Sequence, residues 1–458
     1  MNRPRRRWLA LLAALALLFS GCGGPGGHER WLASQDVVAS VSSTELPLRK
    51  LGDRRTWHVV ATLTPEATIG DMAALVEAWP RRSNGSRLTL VRPLDDGPEL
   101  VFTAWPQEER TRARWRMFTR LHEAWPQARV RLGEHGPDDG APIGAAAEVE
   151  LARCDPWNEL ERIDVAEVLE RKEFVGLKLT CAGAPGGTVR LSYRSAPGRA
   201  ALAGLRDRAR AVLSHLPPGT PWIATADDPG RPLRIEVETA DIPSEPSQAV
   251  LARQDADLTI VTVDSGRPVE VLVTGGADLR VVARETIGLP AVERLEVDSR
   301  QRKVHTWAAL DRVRELTPLA TGHPDVTWWV TQHEERPANW VRASGAEFAE
   351  RARQYQALTD SGIAWTSIVL HDNFGRPTLS VEVEDPSDWR PVVEAVRAVR
   401  WASDMSVEIG SGYPQVVFTS TSTGPARDAE VANSHVPPSQ ERHPELIAII
   451  KAWDATAA

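Results

Sequence analysis

Lysine is nearly missing from this chain. Of 54 basic side chains only five are lysine, Lys50, Lys172, Lys178, Lys303 and Lys451, and none has a serine three positions earlier, which excludes a Ser-x-x-Lys nucleophile. Cysteine is scarce too, with three in 458 residues. No Cys-x-x-Cys occurs and no cysteine stands beside a histidine, so redox and zinc-finger spacings are excluded. Gly-x-Ser-x-Gly, Gly-x-x-x-x-Gly-Lys and His-Glu-x-x-His are absent, which removes the nucleophile elbow, the phosphate cradle and the metalloprotease helix. His122-Glu123 and His333-Glu334 each lack a second histidine at helical spacing. The eleven histidines are scattered singly, so neither a metal site nor a cofactor is expected, and no residue is nominated as catalytic.

Long apolar runs are lacking as well. The twelve residues Trp8 to Phe19 span roughly 18 Å as a helix, too short for a hydrocarbon core of about 30 Å. They follow Arg3, Arg5, Arg6 and Arg7, and Phe19-Ser20-Gly21-Cys22 closes the segment. A cationic start, a short apolar core and small residues before a cysteine have the order of a secretory signal. Leu18-Phe19-Ser20-Gly21-Cys22 resembles the lipobox of bacterial lipoprotein precursors, with Phe19 where that family mostly has Leu. The resemblance covers about the first 23 residues. It implies cleavage after Gly21, a thioether-linked diacylglycerol on Cys22, and usually a third acyl chain on the new amino terminus. Two or more acyl chains hold a protein stably, so the expected partner is the membrane through Cys22, on its extracytoplasmic face.

Without residues 1–21 the chain carries 50 basic and 62 acidic side chains, a net charge of −12. An acidic body repels nucleic acid, which is excluded as a partner. In an oxidising compartment Cys154 and Cys181, the two remaining thiols, are most simply a disulfide. Two buried thiols that never meet are the alternative, and geometry decides.

Composition is otherwise that of globular domains, with 42% apolar and 25% charged residues. Residues 22–55 read as a flexible tether, glycine-rich from Gly23 to Gly27 and polar thereafter. From Trp57 the periodicity gives strand (Trp57–Leu63), helix (Thr68–Trp79), two strands (Arg87–Val91, Glu99–Ala104), helix (Trp115, Phe118, Leu121, Trp125) and strand (Ala128–Leu132). That order, β-α-β-β-α-β, predicts a ferredoxin-like module. The fold expected is therefore α+β, tandem ferredoxin-like modules with antiparallel sheets covered by helices. Modules fall at residues 56–135, 145–245 and 325–420, with a smaller β-rich one at 250–320 and a loop plus helix at 421–458. In the poorer third block Leu279–Ala283 reads as strand, and Trp307, Leu310, Val313 and Leu316 as a helical face.

Three turns share a spelling: Asp228-Pro-Gly-Arg-Pro232, Asp264-Ser-Gly-Arg-Pro268 and Asp372-Asn-Phe-Gly-Arg-Pro377. They do not fall at matching places in the modules so drawn, and hairpin chemistry accounts for them. Asp95-Asp96, Asp138-Asp139 and Asp227-Asp228 also sit in predicted turns, where solvated carboxylates serve the turn rather than catalysis, which needs burial or a coupled pair across a cleft.

Seventeen tryptophans are the one excess, and most fall on apolar faces, as core residues do. Trp328-Trp329 differs, because adjacent strand residues face opposite ways, so one indole can be offered for ligand stacking. The function expected is a membrane-anchored, extracytoplasmic, non-catalytic binding or scaffold lipoprotein whose partner is an envelope protein or ligand. The alternatives are an envelope enzyme acting on cell-wall or carbohydrate substrate, and a solute-binding lipoprotein.

Overall fold

A computed structural model describes residues 25–46, 55–94, 97–133, 145–165, 174–182, 187–192, 197–332, 339–373, 376–384, 386–401, 403–412, 415–432, 437–439 and 442–457. The signal segment, Cys22, Asp95-Asp96, Asp138-Asp139 and His333-Glu334 lie outside the described residues. The chain divides into two compact units, up to Ile235 and from Glu236, where the sequence suggests four modules.

The first unit is built from one repeated step, a hairpin followed by a helix. Its elements are α1 (Pro25–Ala33), β1 (Val38–Glu45), β2 (Trp57–Leu63), α2 (Ile69–Arg82), β3 (Arg87–Leu94), β4 (Gly97–Ala104), α3 (Glu108–Ala124), β5 (Arg129–Gly133), β6 (Ala145–Ala152), α4 (Pro156–Leu160), β7 (Phe174–Ala182), β8 (Gly187–Ser192), α5 (Arg199–Leu213), β9 (Trp222–Ala226) and β10 (Leu233–Glu238), within which the division falls. β1/β2, β3/β4, β5/β6 and β7/β8 pair antiparallel, while β2/β3, β4/β5, β6/β7 and β8/β9 pair parallel. A helix spans every parallel junction. A parallel neighbour cannot be reached by a tight turn, and crossovers of one hand that advance in one direction all leave their helices on the same side.

The second unit repeats the step. After α6 (Gln248–Gln254) come β11 (Ala256–Asp264), β12 (Arg267–Val273), α7 (Arg280–Ile287), β13 (Val292–Asp298), β14 (Lys303–Ala308), a 3-10 turn (Leu310–Leu316) running into α8 (Thr317–Gly322), β15 (Thr327–Thr331), β16 (Asn339–Ser344), α9 (Gly345–Thr359), β17 (Trp365–Asn373), β18 (Arg376–Val383), α10 (Arg390–Ala398), β19 (Met405–Gly410), β20 (Val416–Ser420), β21 (Arg427–Val431) and α11 (Pro444–Ala455). Hairpin pairs are antiparallel and the junctions β12/β13, β14/β15, β16/β17 and β18/β19 are parallel.

Each strand therefore has a helix side and a helix-free side. On the helix side of β14, β15 and β18 stand Val304, Trp328, Val330, Leu379 and Val381, all fully buried. Alternate residues on the same strands are polar or partly exposed, which is why the strands read so cleanly as period two. Local signals close the helices: Thr68 caps α2, accepting from the Asp71 amide while Asp71 accepts from the Thr68 amide.

Mixed α and β structure stands, but the sheets are not antiparallel throughout. Neighbours β2-β3-β4-β5 follow chain order, whereas a ferredoxin-like module interleaves its strands; both arrangements spell β-α-β-β-α-β. Residues 22–55 are not all tether, since α1 and β1 occupy much of the stretch and β1 pairs with β2 along Val38–Glu45. Leu279 precedes and Arg280–Ala283 open helix α7, because the buried set Val282, Ala283, Thr286 and Ile287 recurs at helical spacing. Trp307 belongs to β14, and β21 lies within the presumed C-terminal loop. The three like-spelled turns do occupy equivalent places, the tips of hairpins β9/β10, β11/β12 and β17/β18. In the second, Ser265 (φ 52°) and Gly266 (φ 82°) both take the left-handed conformation that a two-residue hairpin needs.

Candidate functional site: an aromatic row on the helix-free face

Strand alternation and register bring five rings together on the helix-free side of the second unit. β14 contributes His305 and Trp307, β15 Trp329, β16 Trp340 and β17 His371. Register sets Trp329 opposite His305, and Thr331 between Trp307 and Trp340. The His305 imidazole lies 3.8 Å from the Trp307 ring and 4.1 Å from Trp329, stacked within 9° of parallel on the latter. Trp329 meets Trp340 edge-on at 6.0 Å, and Trp340 lies 5.0 Å from His371. Four strands spaced about 4.8 Å apart carry this row over roughly 14 Å.

Cations frame it. The Arg294 guanidinium stands 4.4 Å over Trp307 and the Lys303 ammonium 4.1 Å over Trp329. Such cations favour the electron-rich ring faces, which also covers part of each indole. Desolvation, and then Arg342, lower the Lys303 pKa. His305 is 9% exposed, with Nε2 in hydrogen-bond contact with the Thr331 hydroxyl at 3.2 Å and Nδ1 turned toward the Glu296 carboxylate at 3.8 Å. The neighbouring His305 ring is the largest influence on the Glu296 carboxyl and holds it below the usual range. Its cross-strand neighbour Glu270 is pushed the other way, by partial desolvation and then by the Glu296 and Glu236 charges. Trp307, Trp329 and Trp340 remain partly exposed.

Of the two adjacent tryptophans, Trp328 is fully buried against Phe348 at 6.1 Å, and Trp329 is the one on the open face. From the sequence Trp307 is placed on a helical face, and none of His305, Trp340 and His371 is singled out. The alternation Lys303-x-His305-x-Trp307 was a signal for them, hidden once Trp307 was assigned to a helix.

Cys154 and Cys181 form a disulfide with Cα atoms 5.2 Å apart, joining the loop just after β6 to β7. Asp227 pairs with Arg234, and Asp228 accepts from the Gly230 amide, so this acid pair serves its turn. Arg267 of the second like-spelled turn donates to the Leu289 and Val292 carbonyls, tying a hairpin tip to the chain after α7. Among the described residues no group of three or more His, Cys, Asp or Glu is placed to hold a metal ion, and no helix is long and apolar enough to cross a membrane.

Two concavities away from the row are lined by committed charges. In the first unit a groove of about 260 Å³ lies over Arg129, Glu148, Glu150 and Lys178, paired as Arg129–Glu150 (3.1 Å) and Lys178–Glu148 (3.4 Å). In the second unit a hollow of about 900 Å³ is lined by Arg353 and Arg397, which donate to the backbone carbonyls of Val399, Ser422, Gly424 and Trp453. No family model matches this chain, and comparison with curated proteins and with solved structures finds no match.

Proposed function

We propose that this protein is a lipid-anchored, non-catalytic binding protein of the cell envelope, and that the row Trp307, His305, Trp329, Trp340 takes a ligand with flat apolar faces and hydroxyl edges, a glycan chain. The observation that carries the reading is the row itself. Indoles and imidazoles in file on a helix-free sheet face supply stacking area, and Lys303, Arg342 and Glu296 supply polar partners at its margin. A repeating hairpin-helix architecture supports it, because stacked repeats build extended surfaces suited to polymers. The anchor rests on the signal and Cys22, and a Cys154–Cys181 disulfide suits an oxidising compartment.

Titration calorimetry with soluble cell-wall oligosaccharides tests the reading. Binding is expected for the full chain, and at least a tenfold loss for Trp329→Ala and for Trp340→Ala. Binding that survives both substitutions overturns the assignment. Mass spectrometry of the membrane-extracted protein tests the anchor, and an unmodified Cys22 removes it.

A second reading has one observation in its favour. Glu270 and Glu296 face each other across β12/β13 with pKa values displaced in opposite directions, as an acid and a base in one glycosidic site would be. Release of reducing ends from the same oligosaccharides, abolished by Glu270→Gln, would replace the binder with an envelope hydrolase.

A further inference from the structure

The chain after Cys22 leaves almost no spacer. α1 begins at Pro25, so only Gly23 and Gly24 separate its first residue from the cysteine. Three Cα-to-Cα steps reach at most about 11 Å. α1 is itself fixed to the first unit: Leu32 is fully buried, and His28 and Trp31 lie 5.2 and 6.1 Å from the core residue Trp79. The Ser43 hydroxyl of β1 donates to Glu29, and the Thr64 amide after β2 donates to the Val37 carbonyl just before β1. A body held this way cannot drift from its anchor as it would on thirty unstructured residues.

The surface beside α1 has the chemistry of an interface. Trp31 is partly exposed, the Arg82 guanidinium lies 4.9 Å over its ring, and Arg30 and Arg81 are exposed beside them. Tryptophan settles at headgroup depth, and arginine reaches phosphate while its stem stays on apolar surface. On the strength of the Cys22 anchor proposed above, we infer that α1 and the Arg81–Arg82 end of α2 lie against the lipid headgroups, so that the first unit is apposed to the membrane rather than spaced from it.

The experiment uses the full lipidated chain in vesicles of phosphatidylethanolamine and phosphatidylglycerol containing a nickel-chelating lipid. Nitroxides are placed by Arg30→Cys or Asp36→Cys near α1, and by Asp207→Cys on α5; all three sites are exposed. Relaxation by the headgroup nickel is expected to be about fivefold stronger at position 30 or 36 than at 207. Equal relaxation at the three sites, with Cys22 shown by mass spectrometry to carry its lipid, overturns the inference and leaves the anchor standing. An unmodified Cys22 overturns both. Two label sites guard against one substitution disturbing α1, and urea midpoints matching wild type establish that each variant is folded.

Discussion

The imidazole of His305 lies flat against the indole of Trp329, 4.1 Å between centroids and 9° from parallel, across the parallel junction of β14 and β15. Neither ring owes its position to a sequence neighbour. One reaches the face because β14 alternates, the other because α8 returns the chain to lie alongside in register. The contact is thus made by the topology, as are Trp329–Trp340 and Trp340–His371, whereas His305 and Trp307 meet as alternate residues of β14.

Trp328 and Trp329 are consecutive yet should respond oppositely to truncation. Trp328→Ala empties a fully buried site and is expected to cost about 3–5 kcal/mol. Trp329→Ala removes a partly exposed ring with its His305 and Trp340 contacts, at about 1–2 kcal/mol, while removing ligand binding. Urea denaturation followed beside calorimetry checks both. A stable Trp328→Ala variant that fails to bind would move the site to the opposite face.

Reduction of Cys154–Cys181 should loosen the first unit alone. The bridge closes a loop of sequence separation 27, worth about 3 kcal/mol in the chain-entropy picture. Hydrogen exchange is expected to quicken at β6 and β7 after reduction and to stay unchanged at β17 and β18. Unchanged exchange at β6 and β7 would show the bridge contributes nothing.

Much of the secondary structure was legible because helices cover only one side of each sheet. Trp57–Leu63 alternates partly exposed and buried residues from His58 onward, and its limits agree with the expectation. What neighbours what was not legible. The pairing of β2 with β3 is decided by how α2 packs back on the strands, a non-local matter that a ferredoxin-like module resolves differently from the same string of elements. Leu279-Arg-Val-Val-Ala283 is short and apolar enough to suit either period, and only Thr286 and Ile287 disclose the helix. At the site the pair Trp328-Trp329 could be flagged from alternation alone. His305, Trp340 and His371 converge on it only through the register of four strands.

Gly345 should tolerate no side chain. It opens α9, and a Cβ there would fall 2.2 Å from the carbonyl oxygens of both Ala320 and His323 at the end of α8. Its amide donates to the Val326 carbonyl, so the backbone is pinned on both sides. Gly345→Ala is expected to cost about 1–3 kcal/mol, as overpacking does. A urea midpoint equal to wild type would mean that α8 can move away.

Glu408 on β19 gives the second unit a pH dependence whose sign can be worked out. Burial is the largest influence and raises its pKa; a hydrogen bond with Ser380 on β18 opposes this, and the nearby Glu382 charge adds to the rise. With the folded value above the unfolded one, the native state holds the proton more tightly. Stability associated with this group is therefore full below the ordinary carboxylate range. It declines as pH climbs through the raised folded value, because the carboxylate must then ionise in a poorly solvated place. Glu408→Gln keeps a partner for the Ser380 hydroxyl and removes the charge. The variant should match wild type in thermal midpoint near pH 4 and exceed it near pH 7.5, where wild type carries the half-buried charge. A variant less stable than wild type at pH 7.5 would mean that the ionised carboxylate is held by interactions stronger than its desolvation, reversing the sign.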